Sequence, residues 1–386
     1  MGKLRNIVDK VKPTFSEGGK LSMFRSVFEG FETFLLVPNE TSKPKGVHIH
    51  DAIDSKRIMI MVVIALMPAL LFGMYNVGYQ HYLAIGQAAV AGFWSKFWFG
   101  FLAVLPKILV TYIVGLGIEF TVAQWKGEDI QEGYLASGLL IPMIIPVNCP
   151  LWCLALACAF AVILCKEIFG GTGMNFINPA LGARAFLFFS YPTVMSGDMC
   201  WVAKDSIFGL GYDIADATTA ATPLGIVSGG GLLPDSALMD GIIGLIPGSM
   251  GETSVIAIAI GAILLIWTGV ASWKIMLSVF VGGGLTAALF NQLGMSDMCA
   301  CQQLVLGGFA FGAVFMATDP VTACRTENGK YIYGFIIGAL AIIIRQFNPG
   351  YPEGMMMAIL MGNLVAPLID YCFVQSNINK RLNRAK

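Results

Sequence analysis

The residues best suited to covalent chemistry lie in a polar stretch that ends in Asp216-Ala217-Thr218-Thr219-Ala220-Ala221-Thr222-Pro223. Its small side chains leave the hydroxyl of Thr222 open to a modifying enzyme, and Pro223 disfavours a helical conformation at the threonine. A loop rich in acidic residues and glycine can equally be a solvated connection between two segments. The order of an acid, small residues and a final hydroxyl favours a modification site at Thr222.

Carboxylates in or beside apolar segments are the second set of candidates, because a charged group at membrane depth is costly and usually functional. Glu119 lies near the end of one such segment, where it is either a functional carboxylate or an interfacial one. Asp319 precedes Pro320, and Asp370 follows Pro367. Helix breaks at these prolines would free backbone carbonyls to bind a hard cation together with a carboxylate, although interfacial carboxylates give the same pattern.

The composition of the chain places these residues in a membrane. Hydrophobic residues make up 56% of the chain and charged residues 12%, whereas soluble domains contain roughly 45–50% apolar and about 25% charged residues. Several apolar stretches contain glycine or proline, as discontinuous helices at binding sites do. The sequence predicts an all-α polytopic membrane protein of about ten transmembrane helices, at 57–79, 101–121, 133–147, 150–167, 180–192, 251–271, 274–291, 304–318, 331–347 and 354–374.

Two halves of the chain match each other at a constant offset. Residues 170 positions apart are identical at Gly138 and Gly308, Pro150 and Pro320, Asn178 and Asn348, and Pro179 and Pro349. A constant register across these residue types indicates a duplication. Because each half holds an odd number of predicted spans, the two five-helix repeats must be inverted in the membrane, with sites at their interface. The predicted divisions are an N-terminal segment 1–56, a first repeat 57–192, a central loop 193–250, a second repeat 251–374 and a tail 375–386.

Basic residues give the predicted orientation. If the N-terminus is cytoplasmic, most Lys and Arg residues fall in cytoplasmic segments, Lys166 and Arg184 among them, as membrane proteins prefer. Both termini are therefore predicted to be cytoplasmic, and the central loop with Thr222 to face outward. Apolar residues at three- and four-residue steps between positions 24 and 35 predict an amphipathic helix, on the membrane surface or against another protein of a complex.

The sequence does not predict a nucleic-acid partner, a cleavable signal peptide or a metal site. The 24 basic and 24 acidic residues give no net charge, which argues against a nucleic-acid partner. Residues 1–20 contain no apolar core of a signal peptide, so no cleavable signal is expected. The cysteines lack metal-ligand spacing, and the alternating His48 and His50 are more typical of an interface, so no metal site is expected.

The stretch that ends at Thr222 resembles D-x-x-[ST]-G-A-T, the sequence at which a flavin transferase attaches FMN to threonine through a phosphoester. Ala220 stands where that sequence has glycine. Most of the chain is similar to the family of the B subunits of the sodium-translocating NADH:quinone reductases, to which the D subunit of the Rnf complex is related. The N-terminal segment fits the B-type proteins better. The matching runs are 54–61, 166–173, 175–181, 315–320 and 351–356.

This resemblance implies a redox function as one component of a multi-subunit enzyme. In the family, electrons from NADH enter through other subunits, reach FMN on the C subunit, and pass to FMN on the B subunit. They then reach a riboflavin, which the B subunit also holds, and finally ubiquinone, as sodium moves outward. The implied partners are the other subunits, ubiquinone, sodium and the flavin transferase, in the bacterial inner membrane. The chain has no nucleotide-binding fingerprint, which agrees with NADH reacting elsewhere.

The resemblance also implies two flavin sites. It places covalent FMN on Thr222 and riboflavin beside Asn175 and Asn178, which follow a glycine-rich turn. Asparagine amides both donate and accept hydrogen bonds, as the carbonyl and imino groups of an isoalloxazine ring require. Capping of a helix that begins at Pro179 is the alternative for the two asparagines.

A quinone site and an ion route complete the implied assignments. Gly115, Leu116 and Glu119 align with the quinone-site segment of the family, which has a second glycine at the position of Leu116. Asp319 and Asp370 would lie on the sodium route. Within the resemblance, the alternative is an electron-transfer subunit of an Rnf-type ferredoxin:NAD oxidoreductase. A non-redox channel or transporter fits the repeat equally well, whereas the broken spans disfavour a pure structural anchor. Bound flavin distinguishes the redox protein from both.

Overall fold

The computed structural model describes residues 2–15, 25, 28, 32, 55–127, 133–197, 200–214, 220–234, 236–296, 298–348 and 350–385. Helices dominate these residues, which contain no β-strand and one isolated bridge between Ile207 and Leu210. The described residues hold six helices long and apolar enough to cross a membrane. The predicted all-α polytopic fold is therefore confirmed, whereas the count of ten spans, the inverted repeat and the orientation stay predictions.

The described residues of the first half form one amphipathic and five apolar helices. They are α1 (Gly2–Phe15), α2 (Ser55–Ala84), α3 (Phe93–Lys126), α4 (Tyr134–Ile144), α5 (Leu151–Cys165) and α6 (Pro179–Ser190). A 3₁₀ turn at Glu167–Phe169 follows α5, and a helical turn at Pro192–Met195 follows α6. Each of the five predicted spans of this half thus coincides with a helix.

The second half begins with two short helices of the central loop. The helices are α7 (Pro223–Ser228), α8 (Ala237–Ile243), α9 (Val255–Trp267), α10 (Trp273–Gln292), α11 (Ala300–Val305), α12 (Phe309–Phe311), α13 (Glu327–Phe347) and α14 (Met355–Ala385). A π-helical segment, Gly312–Met316, continues α12. The predicted span 304–318 is therefore broken into short pieces, as its glycines suggested.

The N-terminal segment contains a helix that the sequence analysis did not predict. Helix α1 precedes the amphipathic segment expected between positions 24 and 35, which lies largely outside the described residues. Lys12 pairs with Glu32 at 2.8 Å, and the ring of Phe15 stacks on that of Phe28 with centroids 4.8 Å apart. These contacts join α1 to the segment that follows it.

Close helix packing depends on small residues. A methyl group on Gly282 of α10 would overlap the backbone of Phe335, and one on Gly338 of α13 would overlap the backbone of Val279. Glycine at both positions therefore lets α10 and α13 approach closely, as in other membrane helix pairs. Helices α2 and α9, the first of each predicted half, approach each other in the same way at Gly261.

Short helices need partners for their end groups, because the last carbonyls of a helix have no partner within it. Helix α4 ends at Ile144, and the buried ammonium of Lys107 donates to the carbonyl of Pro146 at 2.9 Å and to that of Val147. A cation at the carbonyl end of a helix is also favoured by the helix dipole. Lys107 thus stabilises the break after α4.

Candidate functional site

A cavity of about 270 Å³ lies beside Thr222, between α6, α7 and the turn that precedes α14. We call it the Thr222 cavity. Its wall combines aromatic rings, buried charged groups and two threonine hydroxyls. The residues used below are Arg184, Phe188, Trp201, Thr222, Glu252, Thr253, Tyr351 and Glu353.

Thr222 stands at the start of α7. Its backbone is extended, with φ −68° and ψ 154°, as Pro223 predicted, and a short helix that was not predicted begins at Pro223. Its Oγ1 accepts a hydrogen bond from the amide of Gly225 at 3.1 Å, which caps the helix. The side chain is half-buried on the cavity wall. The hydroxyl is thus held in place and open to the cavity, while residues 215–219 lie outside the described residues.

Arg184 contributes a buried positive charge to the same cavity. Its guanidinium donates to Glu353 Oε2, and its Nη1 lies 4.0 Å from Glu252 Oε2. The guanidinium also lies 5.9 Å from the ring centre of Trp201, a cation–π distance. Arg184 was counted with the basic residues of cytoplasmic segments, and no burial was expected for it. The residue lies inside α6 and is only 3% exposed.

Glu252 and Glu353 converge on one point beneath the cavity. A methyl group on Gly308 would lie 2.5 Å from Glu252 Oε2 and 2.7 Å from Glu353 Oε1. Glu252 lies in the loop before α9, and its Oε1 accepts from the amide of Ser249 at 3.1 Å. Two carboxyl groups this close together and largely shielded from water do not both ionise readily. A proton on one of the two carboxyl groups removes their repulsion and makes that group a hydrogen-bond donor.

Five buried polar atoms of the residues that line this cavity have no hydrogen-bond partner among the described residues. They are Arg184 Nε and Nη1, Glu252 Oε2, Thr253 Oγ1 and Glu353 Oε1. A buried polar atom without a partner costs about 1–3 kcal/mol. Such a concentration of unpaired donors and acceptors around one cavity is typical of a ligand site.

A second, smaller cavity of about 70 Å³ brings together three of the predicted functions. We call it the Asn178 cavity. Its walls include both riboflavin candidates, one ion-route candidate and the partner of a quinone-site candidate. These residues are Asn175, Asn178, Asp319 and Lys166.

Both polar atoms of the Asn178 side-chain amide form hydrogen bonds within the protein. Its Oδ1 accepts from the backbone amides of Ala180 at 2.9 Å and Leu181 at 3.4 Å, which caps α6. Its Nδ2 donates to Asp319 Oδ2 at 3.2 Å. The capping alternative is therefore observed for Asn178. Asn175 is buried and donates to the carbonyl of Ile177 at 3.3 Å.

Asp319 lies in the break between the π-helical segment Gly312–Met316 and α13. The break was predicted at Pro320, which follows Asp319. Its Oδ1 accepts from the amide of Val321 and its Oδ2 from the hydroxyl of Thr322, both at 3.1 Å. Together with the bond from Asn178, these donors pair both carboxylate oxygens. The site therefore joins a helix break inside the second predicted repeat to the cap of α6 in the first.

Glu119 is not the interfacial carboxylate that one interpretation of the sequence allowed. It is 3% exposed and lies 2.6 Å from the ammonium of Lys166, which is also 3% exposed. The other two quinone-site candidates lie one turn earlier on α3. Leu116 is half-buried, and Gly115 is buried where a methyl group would overlap the ring of Tyr134. Gly115 thus allows Tyr134 to pack against α3.

Asp370 lies apart from both cavities. Its carboxylate accepts from the amides of Arg325 at 2.8 Å and Thr326 at 2.9 Å, and from the Thr326 hydroxyl at 2.6 Å. These bonds satisfy amides at the start of α13. The expected helix break at Pro367 is wrong, because α14 continues through it. Proline still removes one amide donor from the helix, which leaves a single carbonyl free rather than an open turn.

Sequence reasoning missed the charged groups of the Thr222 cavity. Glu353 lies in the matching run 351–356, but neither it nor Glu252 was singled out, and Arg184 was counted only for its charge. A signal was available for Arg184, because it falls within the apolar stretch 180–192. An ionisable residue inside such a stretch is a functional candidate with a buried partner.

Known proteins that match this chain belong to the family that the sequence motifs resemble. The model of the NQR2, RnfD, RnfE family matches residues 42–379. The chain is 45% identical to the B subunit of the Na(+)-translocating NADH-quinone reductase of Chromohalobacter salexigens, over 99% of this chain and 96% of that protein. It is 42% identical to the B subunits of the same name from Klebsiella pneumoniae and Pseudomonas aeruginosa, over 99% of this chain and 99% of each relative. The resemblance inferred from the sequence motifs is confirmed, and the chain belongs to the NQR2, RnfD, RnfE family.

Proposed function

We propose that this chain is the membrane-embedded B subunit of a sodium-translocating NADH:quinone reductase and carries FMN covalently on Thr222. The observation that carries the proposal is the position of the Thr222 hydroxyl on the wall of a cavity lined by aromatic rings and unpaired polar groups. The attachment motif supports the same residue. The names of the similar proteins support the complex, the quinone acceptor and the sodium coupling.

The residues of the cavity fit an FMN group. Thr222 would bear the phosphoester, and the rings of Phe188, Trp201 and Tyr351 provide apolar surface for a flat aromatic ligand. Arg184 holds a positive charge close to the site. FMN, when bound, supplies the capacity to accept and pass on electrons. The protein's part is to hold it out of bulk water at one place in the membrane domain.

The attachment is tested by substitution of the threonine. In Thr222→Val, a flavin-fluorescent band on a denaturing gel should disappear completely, because valine has no hydroxyl to esterify. Thr218→Val is the matched control, since it removes a hydroxyl at a variable position of the same motif, and its band should remain. A band that survives in Thr222→Val contradicts covalent FMN at this residue.

We further propose that riboflavin binds near Asn175 and Asn178 and that quinone reacts near Gly115, Leu116 and Glu119. Support comes from the Asn178 cavity, which joins the asparagines to Lys166, the ion-pair partner of Glu119. In Asn175→Leu, riboflavin extracted from the denatured protein should fall while the covalent band on the gel is unchanged. Unchanged riboflavin content would contradict this assignment.

The ion route is proposed to include Asp319 and Asp370. Asp319 accepts hydrogen bonds from protein donors on the wall of the Asn178 cavity, whereas Asp370 accepts them at the start of α13, and both residues are half-buried. Asp319→Ala and Asp370→Ala should each raise the sodium concentration needed for half-maximal quinone reduction and leave flavin content intact. An unchanged sodium dependence in both variants would remove these residues from the route.

A further inference from the structure

The polar atoms around the Thr222 cavity that have no partner among the described residues include both hydrogen-bond donors and acceptors. Arg184 Nε and Nη1 are donors, Glu353 Oε1 and Glu252 Oε2 belong to carboxyl groups, and Thr253 Oγ1 can act either way. Arg184, Glu252 and Thr253 are each no more than 5% exposed. All four side chains line the same cavity, so a ligand that enters it comes to lie beside them.

This mixture of groups disfavours an ion as the occupant. A free anion would face the carboxyl groups of Glu252 and Glu353, and a cation would face the guanidinium of Arg184, which already pairs with Glu353. Either ion would then lose its hydration shell without gaining a consistent set of ligands. A neutral ligand that both donates and accepts hydrogen bonds satisfies the same groups without added charge.

A cyclic imide has this chemistry. Its edge presents a carbonyl acceptor, an N–H donor and a second carbonyl acceptor in a row, and its complement is a row of donor, acceptor and donor. Arg184 supplies donors, and the Glu353 carboxylate supplies an acceptor. Glu252, whose carboxyl is held next to that of Glu353, supplies a donor when it carries a proton. The pyrimidine edge of an isoalloxazine ring is such an imide.

We propose that Arg184, Glu252, Thr253 and Glu353 form a non-covalent subsite that binds the imide edge of a flavin ring in the Thr222 cavity. The inference rests on the proposed FMN site, because it assigns the ring of the same cofactor to the charged wall of the cavity. It adds that binding does not require the covalent bond. Thr222 then fixes one end of the cofactor, and these four side chains fix the other.

The test uses the full-length chain in the purified complex, with Thr222→Val to prevent attachment. Added FMN is titrated, and the bound fraction is measured by ultrafiltration. FMN should bind reversibly, and adding Glu353→Gln or Arg184→Lys should raise its Kd about ten-fold or more, as expected for a lost hydrogen bond to a charged group. Unchanged FMN affinity in both variants, or no binding to Thr222→Val, would overturn the subsite.

Thr253→Val is the variant least able to harm the fold. Valine has nearly the same shape and removes a buried hydroxyl that has no partner among the described residues, so the melting temperature without FMN should stay the same or rise. The Kd for FMN should nevertheless rise about three-fold to ten-fold, the usual effect of one neutral hydrogen bond. A purely structural role for Thr253 predicts no change in the Kd, and that result would contradict its place in the subsite.

Thr172→Val supplies the matched control. It also removes a buried hydroxyl without a partner in the described part of the chain, but from the wall of the Asn178 cavity. The FMN affinity of the Thr222→Val protein should stay within about two-fold when this change is added, because the hydroxyl lies outside the proposed subsite. An equal loss for Thr172→Val and Thr253→Val would show a general effect and overturn the proposal. The gel band reports attachment, whereas the titration reports the subsite, so the two proposals fail separately.

Discussion

The Thr222 cavity and the Asn178 cavity differ in how far the protein satisfies its own polar groups. Around the Asn178 cavity, Asn178, Asp319 and Lys166 all have partners within the protein, with Thr172 Oγ1 the exception among the described residues. Around the Thr222 cavity, Arg184 and its neighbours carry five atoms without partners in the described part of the chain. The larger cavity thus has more polar atoms free to bond a ligand in the described part of the chain, whereas most polar groups of the smaller cavity also hold helices together.

Helix α6 connects the Thr222 cavity and the Asn178 cavity. Its cap, Asn178, lines the smaller cavity and its sixth residue, Arg184, lines the larger. Six residues of α-helix rise about 9 Å, so both cavities lie within one short helix of each other. The cap at the start of α6 helps to fix the position of the arginine in the middle of the helix. A change at Asn178 is therefore expected to reach the Thr222 cavity through the helix.

The largest expected effect comes from the buried pair of Glu119 and Lys166. Glu119→Leu leaves the ammonium of Lys166 buried without its counter-charge, which should lower the free energy of unfolding by about 3–5 kcal/mol. The melting temperature of the purified complex measures this. Glu119→Leu combined with Lys166→Met should recover much of the loss. If Glu119→Leu has the melting temperature of the wild type, the helices around the Asn178 cavity do not depend on pairing between buried polar groups.

A medium effect is expected at Gly115. Gly115→Ala would push a methyl group into the ring of Tyr134, and such overpacking typically costs about 1–3 kcal/mol. Gly117→Ala on the same helix is the control, because a methyl group there meets no neighbouring atom within 4 Å. Comparing the melting temperatures of both variants separates the cost of overlap with Tyr134 from the general effect of replacing a helical glycine with alanine. Equal melting temperatures would mean that Gly115 serves a ligand rather than the packing of Tyr134.

The smallest effect is expected at the cap of α6. Asn178→Ala should cost about 1 kcal/mol, within the usual range for loss of an N-cap. Asn178→Ser retains a capping oxygen but lacks the amide that donates to Asp319, so it should cost less. The two variants are compared by thermal unfolding and by the FMN titration. Equal losses would assign the importance of Asn178 to its bond with Asp319 instead of to the cap.

Much of the fold followed from local patterns in the sequence. All ten predicted stretches coincide with helices or helix fragments, because apolar runs must satisfy their backbone groups internally in a membrane. The breaks near Pro146, Pro179 and Gly312 were also expected. The break at Pro367 was not found, since a long helix tolerates one proline at the loss of one hydrogen bond.

The sites were predicted less completely than the helices. The motif at Thr222 identified a residue that does line a large cavity, and Asn178 and Asp319 proved to be neighbours although they lie 141 positions apart. The interpretation of Arg184 failed because counting charges by position treats every basic residue as solvated. A buried arginine differs from an interfacial one only through its partners, and these are distant in the chain.

The sequence by itself determined the membrane character, the helices and the threonine that stands before Pro223. These depend on composition and on residues a few positions apart. Only the tertiary structure decided that Arg184, Glu252 and Glu353 meet beside Thr222, because their carboxyl and guanidinium groups come from three separate segments. The energy of a buried charge depends on the groups that surround it, and the order of residues along the chain does not contain that information.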